Sequence, residues 1–155
     1  MKIISLKSQQ WEQYRRPVLN FVKRYDPCGL KSNYSWLFKV KKHHLHHHGT
    51  SIQLAFWEGK IIGLAAVSDY GTTQSTFIVA PRFLKTQIPV NLYTSLIDEL
   101  GVCYTKIHYD DKQKIKFALQ AGLVCFAYLK GEQDDIYLWF GGGHWHTTDI
   151  TEKEA

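Results

Sequence analysis

At 155 residues and 18.0 kDa the chain has room for one compact domain rather than two. With 45% hydrophobic and 21% charged residues it has a globular composition, which excludes an intrinsically disordered chain. The net charge of +5 is uneven: residues 1–50 carry ten Lys/Arg against two acids, and residues 51–155 nine against twelve. Such a basic half attracts phosphate or is simply a solvated face. No apolar run approaches the ~18–20 residues that cross a bilayer, and Met1-Lys2-Ile3-Ile4-Ser5 opens no signal core, so a cytoplasmic protein with no membrane partner is expected. Cys28, Cys103 and Cys125 are odd in number and form no CxxC pair, which suits a reducing compartment.

In chain order, a short extended opening at residues 2–6 leads to Ser8, a candidate helix cap. Trp11, Tyr14, Val18, Phe21, Val22 and Tyr25 follow at three- and four-residue intervals, as one buried helical stripe requires. Pro17 falls inside it, so a kink or a split is expected there, and Asp26-Pro27-Cys28-Gly29 ends it. A weaker helix is read over residues 33–42. From Ser51 the pattern turns extended: 51–58 and 60–69 form a hairpin about Glu58-Gly59, and Gln74 to Ala80 is a third strand closed by Pro81. Pro89, then Leu92, Tyr93, Leu96, Ile97 and Leu100 before Gly101, mark the clearest helix. A strand over 102–109, a helix from Asp110-Asp111 to Ala121 and two strands at 123–129 and 136–140 complete the pattern. Hairpin-linked strands plus one strand-helix-strand crossover imply an α+β domain: a mixed, mostly antiparallel sheet of six or seven strands with about four helices. The domain is read as residues 1–140, and 141–155, opening on Gly141-Gly142-Gly143, as a flexible tail.

The order of elements, together with Glu58-Gly59-Lys60-Ile61-Ile62-Gly63, Phe77-Ile78-Val79-Ala80-Pro81 and Gly122-Leu123, resembles the GNAT superfamily of N-acetyltransferases over residues 1–140. The resemblance implies transfer of an acyl group from acetyl-CoA, or another acyl-CoA, to an amine. It also implies two strands that splay apart, with the backbone of Phe77, Ile78 and Val79 holding the pantetheine arm and polarising the thioester carbonyl. The family's phosphate loop, R/Q-x-x-G-x-G/A, aligns with Leu84-Lys85-Thr86-Gln87-Ile88-Pro89. Both small positions are lost, and Pro89 has no amide to donate. Losing two charge-assisted bonds, at ~1.5–3 kcal/mol each, weakens phosphate binding roughly a hundredfold or more unless something compensates. Lys85, and Lys112 with Lys116 on one helical face, are the candidate replacements, or else plain surface lysines. Asp111 aligns with a family asparagine and serves equally well as a helix cap.

The tyrosine that many relatives use to protonate the departing thiolate is replaced by Ala118. Asp69, Tyr70, His108 and Tyr109, at predicted strand ends beside the cleft, are the candidate proton-transfer residues, each with a structural role as the competing reading. The run His43-His44-Leu45-His46-His47-His48 has imidazoles at i, i+4 but no defined third-ligand spacing, so no metal is expected. Trp11, Tyr14, Phe21 and Tyr25 follow the buried stripe, so core packing explains them better than base stacking and nucleic acid is not favoured. By the resemblance, aromatics at 34–38 are candidates to line an acceptor pocket, with core packing the favoured reading for most of them. No P-loop, nucleophile elbow or kinase motif occurs. The expectation is an N-acyltransferase acting by direct attack on a small-molecule or protein amine, with homodimerisation left open. The rival is a catalytically degenerate fold serving as a binding or regulatory module.

Overall fold

The computed structural model describes residues 1–26 and 31–150. Its elements are β1 (Lys2–Ser5), α1 (Trp11–Tyr25), α2 (Lys31–Lys39), β2 (Ser51–Trp57), β3 (Lys60–Ser68), β4 (Gln74–Val79), α3 (Ile88–Leu100), β5 (Val102–His108), α4 (Lys112–Gln120), β6 (Val124–Lys130) and β7 (Ile136–Gly143), with short 3-10 turns between them. Pro27, Cys28 and Gly29, expected to end the first helix, lie outside the described residues.

The helical stripe of α1 is buried at Trp11, Val18, Phe21 and Val22. Ser8 starts a 3-10 turn rather than the helix itself, and Pro17 neither splits nor ends α1. The proline is on the exposed face, one turn after exposed Gln13, so the carbonyl left without an amide donor faces water and the cost stays small. Helix α2 stops at Lys39, short of the expected Lys42, and the histidine run sits on a 3-10 turn over Lys42–His46. The Trp11 indole donates to the Val40 carbonyl at 2.9 Å, tying the two helices' ends together.

Strands β1, β2, β3 and β4 form one antiparallel sheet in that order, and β5, β7 and β6 a second. The β2–β3 hairpin closes through Glu58 (φ 51°) and Gly59 (φ 75°), both left-handed, as a two-residue turn matching strand twist requires. Residues 51–55 are all buried, because α3 covers one face of β2 and β3 while α1 lies across β3 and β4 on the other. Leu92 and Leu96 of α3 are fully buried, each worth about 1.5–3 kcal/mol in apolar transfer. The single expected sheet is therefore two sheets side by side.

Residues 141–150 correct the expected tail. Strand β7 runs through Gly143, and the chain then folds back so that Trp145 stacks on Phe126 at 4.9 Å between centroids. Gly141 makes this possible, since a Cβ there would stand 2.7 Å from Trp145. The Tyr104 hydroxyl donates to the Asp149 carboxylate and accepts from the His146 amide at 2.8 Å, while Ile150 joins Tyr104 and Trp139 in a small second core. Three glycines look mobile in sequence, but here they admit close packing.

The turn after β3 docks on β5 at Gly71 (φ 94°), where a Cβ would come within 1.8 Å of the Tyr104 carbonyl oxygen. Gly71→Ala is expected to lower the unfolding free energy by about 3 kcal/mol or more, combining a forbidden φ with a backbone clash, as read from urea unfolding.

Candidate active site

The α3 crossover brings β5 beside β4, yet no backbone hydrogen bond joins the two strands among the described residues. One end is pinned by the Ser75 and Thr105 hydroxyls, 3.2 Å apart, next to the contact of Gly71 with Tyr104. Beyond that pin, toward Val79 and His108, the strands continue without a ladder. The β3–β4 register fixes which groups face the gap. Ala80 donates to the Ile62 carbonyl at 2.9 Å, and Ile78 pairs with Leu64 two residues back. Alternation along an antiparallel ladder then turns the amides of Phe77 and Val79 away from β3 and toward β5. The Ile78 amide belongs to the β3–β4 ladder, so of the three residues only Phe77 and Val79 have amides directed at the gap.

Side chains alternate as well. On the α3 side, the Phe77 ring lies flat on Tyr93, with centroids 4.2 Å apart and 6° between planes, and Phe117 of α4 is 6.5 Å away. On the α1–α2 side, the buried Thr76 hydroxyl accepts from the Trp36 indole at 2.8 Å and donates to Asn33 at 2.7 Å. Trp36 also borders a hollow of about 250 Å³ shared with His44, His47, Ser68 and Asp69. The aromatic stretch expected on the acceptor side thus divides: Trp36 is anchored to β4, whereas Phe38 is 52% exposed under the Arg15 guanidinium.

The four candidate proton-transfer residues fall into two separate pairs. Asp69 (φ 50°) and Tyr70 (φ 60°) form a left-handed turn at the pinned end, where Asp69 accepts from the Thr73 hydroxyl at 2.7 Å and the Tyr70 amide donates to Gly49. His108 and Tyr109 are at the other end of β5, about 13 Å further along at ~3.3 Å per residue. His108 Nδ1 accepts from the Asp110 amide at 3.2 Å, which leaves Nε2 as the donor to Asp135 at 3.0 Å. Both imidazole nitrogens are engaged. The geometry does not bring the two pairs together.

The loop aligned with phosphate binding uses its own donors. The Thr86 amide bonds to the Phe83 carbonyl, and the Ile88 amide to the Thr86 hydroxyl at 3.2 Å. Pro89, in the first turn of α3, has no amide hydrogen, and Gln87 supplies no side-chain cap. The Gln87 side chain borders a hollow beside β1 with Lys2 and Asn91. Asp111 caps α4, accepting from the Lys114 amide at 3.1 Å. Lys85, Lys112 and Lys116 are exposed and form no ion pair among the described residues.

No family model matches the sequence, and no curated protein does. Solved structures do. The model superimposes on an aminoglycoside 6'-N-acetyltransferase complexed with coenzyme A with a TM-score of 0.67 at 12% identity, over 92% of this chain and 97% of that one. An acetyltransferase of the GNAT family from Streptococcus pneumoniae gives 0.65 at 14% identity, over 92% and 99%. Ribosomal-protein-alanine N-acetyltransferase from Brucella melitensis gives 0.62 at 15%, over 92% and 99%. The chain has the GNAT fold. The expected crossover, hairpin and parted strands are therefore those of the GNAT fold, and no helix among the described residues is long and apolar enough to cross a membrane.

Measured against a CoA thioester, the two ends of this GNAT fold differ. The gap offers two outward amides and an apolar wall, as an amide-bearing arm and a carbonyl require, while the helix end lacks the close-packed amides that a pyrophosphate needs. The rings of His43, His44 and His47 cluster at 4.2–5.9 Å, and burial, with the neighbouring His43, His47 and Lys41, lowers the His44 pKa. No group of three or more His, Cys, Asp or Glu among the described residues is placed to hold a metal. Ser75, Thr105 and Tyr93 escaped the sequence reading. The first two carry no motif, and Tyr93 sits within the apolar stripe of α3, where it reads as core.

Three groups around β5 share one electrostatic consequence. Burial pushes the Cys103 thiol from 9.0 up to about 12. It also pushes Tyr104 from 10.0 to about 12, with the Asp149 bond adding to it, and raises Tyr93 well above 10.0. Raised folded-state pKa values favour the neutral forms in the native state, so the associated stability is intact below pH 9 and is lost as pH rises toward 12. Urea unfolding across that interval is expected to show a steady fall in stability, and Cys103→Ala a shallower one.

Proposed function

We propose that this chain is an N-acyltransferase that brings an acyl-CoA thioester and an amine together in the gap between β4 and β5. The observation that carries the reading is the unpaired outer edge of β4, where the Phe77 and Val79 amides face the gap while β3 and the hydroxyl pin hold the strand in place. Fixed amides of this kind stabilise the oxygen of a thioester carbonyl as it gains negative charge. One such donor is worth about 10²–10³ in rate, comparable to what a single proton-transfer residue commonly contributes.

Direct attack by the amine is supported by the cysteines. Cys103 is buried with a thiol pKa of about 12, and Cys125 is on β6, beyond β7 from β5. Neither suits an acyl-cysteine intermediate. Because the gap has α3 and α4 on one side and α1 and α2 on the other, the thioester arm would enter beside Phe77 and Tyr93 and the amine beside Trp36. Small-molecule and protein amines both fit this description. Among the described residues Cys103 and Cys125 are free thiols, in keeping with a cytoplasmic setting.

Calorimetry separates the two ends of the site. Acetyl-CoA is expected to bind, and S-acetylpantetheine, which lacks the nucleotide and its phosphates, to bind within about tenfold of it, because the contribution of the phosphate loop is reduced. Val79→Pro removes an outward amide that makes no ladder bond. It is expected to leave the fold intact and to weaken acetyl-CoA binding about tenfold. Absence of acetyl-CoA binding at millimolar concentration would overturn the reading. Binding without CoA release across a panel of amines is the result a purely ligand-binding module would give.

A further inference from the structure

The basic surplus of the first fifty residues gathers at one place. Arg15 of α1, Lys39 at the end of α2, and Lys41 and Lys42 at the turn that follows surround a hollow of about 600 Å³. Glu12 is the only acid that lines it, and none of the four cations forms an ion pair among the described residues. Like charges held around one hollow repel one another, and an anion seated there relieves the repulsion. Arg15 is fixed in place: its guanidinium donates to the Phe38 carbonyl at 2.8 Å and lies 4.7 Å over the Phe38 ring. The Tyr34 ring stacks on Phe38 as well, with centroids 6.1 Å apart. Stacking on Phe38 is thus made within the protein, and this half-exposed ring offers outward an apolar surface rather than a platform for a nucleobase. Cations around an apolar lining of Phe38 and Val40 suit a peptide that carries carboxylates beside an apolar side chain.

Position ties this face to the gap. Lys39 and Val40 also line the smaller hollow that holds Trp36, and the Trp36 indole bonds to Thr76 on β4, next to Phe77. A chain lying in the basic hollow and crossing at Lys39 therefore arrives at the side of β4 beside which, on the reading above, the amine enters. We propose that this face docks an acidic peptide segment of a protein acceptor and so presents the neighbouring amine to the gap. The inference rests on the acyl-CoA reading and chooses, between small-molecule and protein amines, a protein amine flanked by Asp or Glu. Carboxylates on a positive surface speed encounter and fix register, while the chemistry stays with the β4 amides.

The probe is a peptide of about ten residues with a free N-terminus, one lysine and Asp or Glu at several internal positions; its counterpart carries Asn or Gln there. Fluorescence anisotropy on the full chain, without CoA, is expected to show the acidic peptide bound about tenfold tighter than its counterpart. Lys41→Glu with Lys42→Glu is expected to abolish that preference, while the equal charge change Lys2→Glu with Lys60→Glu, on exposed lysines elsewhere, leaves it within about twofold. With acetyl-CoA added, CoA release is expected to show the same order in KM and little change in kcat. The docking assignment is overturned, and the acyl-CoA reading left standing, if the parent protein binds acetyl-CoA but binds both peptides alike, loses the acidic peptide equally in both double variants, or binds a single-stranded RNA of similar length more tightly. Acidic peptide and acetyl-CoA both bound without CoA release also overturns it, since the amine is then not presented. If acetyl-CoA does not bind at millimolar concentration, the acyl-CoA reading is overturned, and the presentation of an amine with it, whatever the peptides do.

Discussion

Every functional feature of this molecule depends on two neighbouring strands that do not pair. A backbone amide facing an adjacent strand normally finds a carbonyl there, and leaving it unmatched is costly enough that most folds avoid it. Here β3 holds β4 on one side through an unbroken register, while on the other side a hydroxyl pair and a glycine contact tether β5 at one end only. The tether sets the apex of a wedge. Its two walls are edge strands of different antiparallel sheets, β4 of one and β5 of the other.

The site's chemistry follows from which faces the wedge opens on. Alternation along β4 sends Phe77 toward α3 and α4 and Thr76 toward α2, so the side chains on either wall are held by different helices. One wall is aromatic and apolar, and the other carries a polar chain from Thr76 through Asn33 and Trp36. An apolar arm with a polar carbonyl on one side, and a polar nucleophile on the other, is the pairing such an asymmetry accommodates. The helix end that would hold phosphates is the weak part, since Pro89 lacks a donor and Thr86 ties up the amide of Ile88. Under the proposed acyl-CoA reading, the arm rather than the nucleotide is the better-provided part of the ligand.

Much of the architecture was legible because it rests on local rules. Glu58-Gly59 reads as a hairpin turn, Gly101 as a helix stop and Asp111 as a cap or a site residue; the turn and the stop form as read, and Asp111 caps α4. Pro17 was misjudged because sequence does not say which face of a helix meets water. The glycine run after Phe140 was misjudged because small residues serve close packing as readily as mobility. The site was legible only in its backbone. Phe77 and Val79 could be placed from a motif, but that Ile78 belongs to the ladder depends on register, a long-range property. The separation of Asp69 and Tyr70, in the turn after β3, from His108 and Tyr109, at the far end of β5, depends on three-dimensional placement that spacing alone does not encode.

The last ten described residues gain a role from this arrangement. Tyr104 and Trp139 grip Ile150, and Tyr104 grips Asp149, on the face of β5 opposite Cys103 and Thr105. The returning segment thus acts as an outer buttress, packing on the strand from behind. In mechanical terms β5 is anchored from the rear, on the side away from α3.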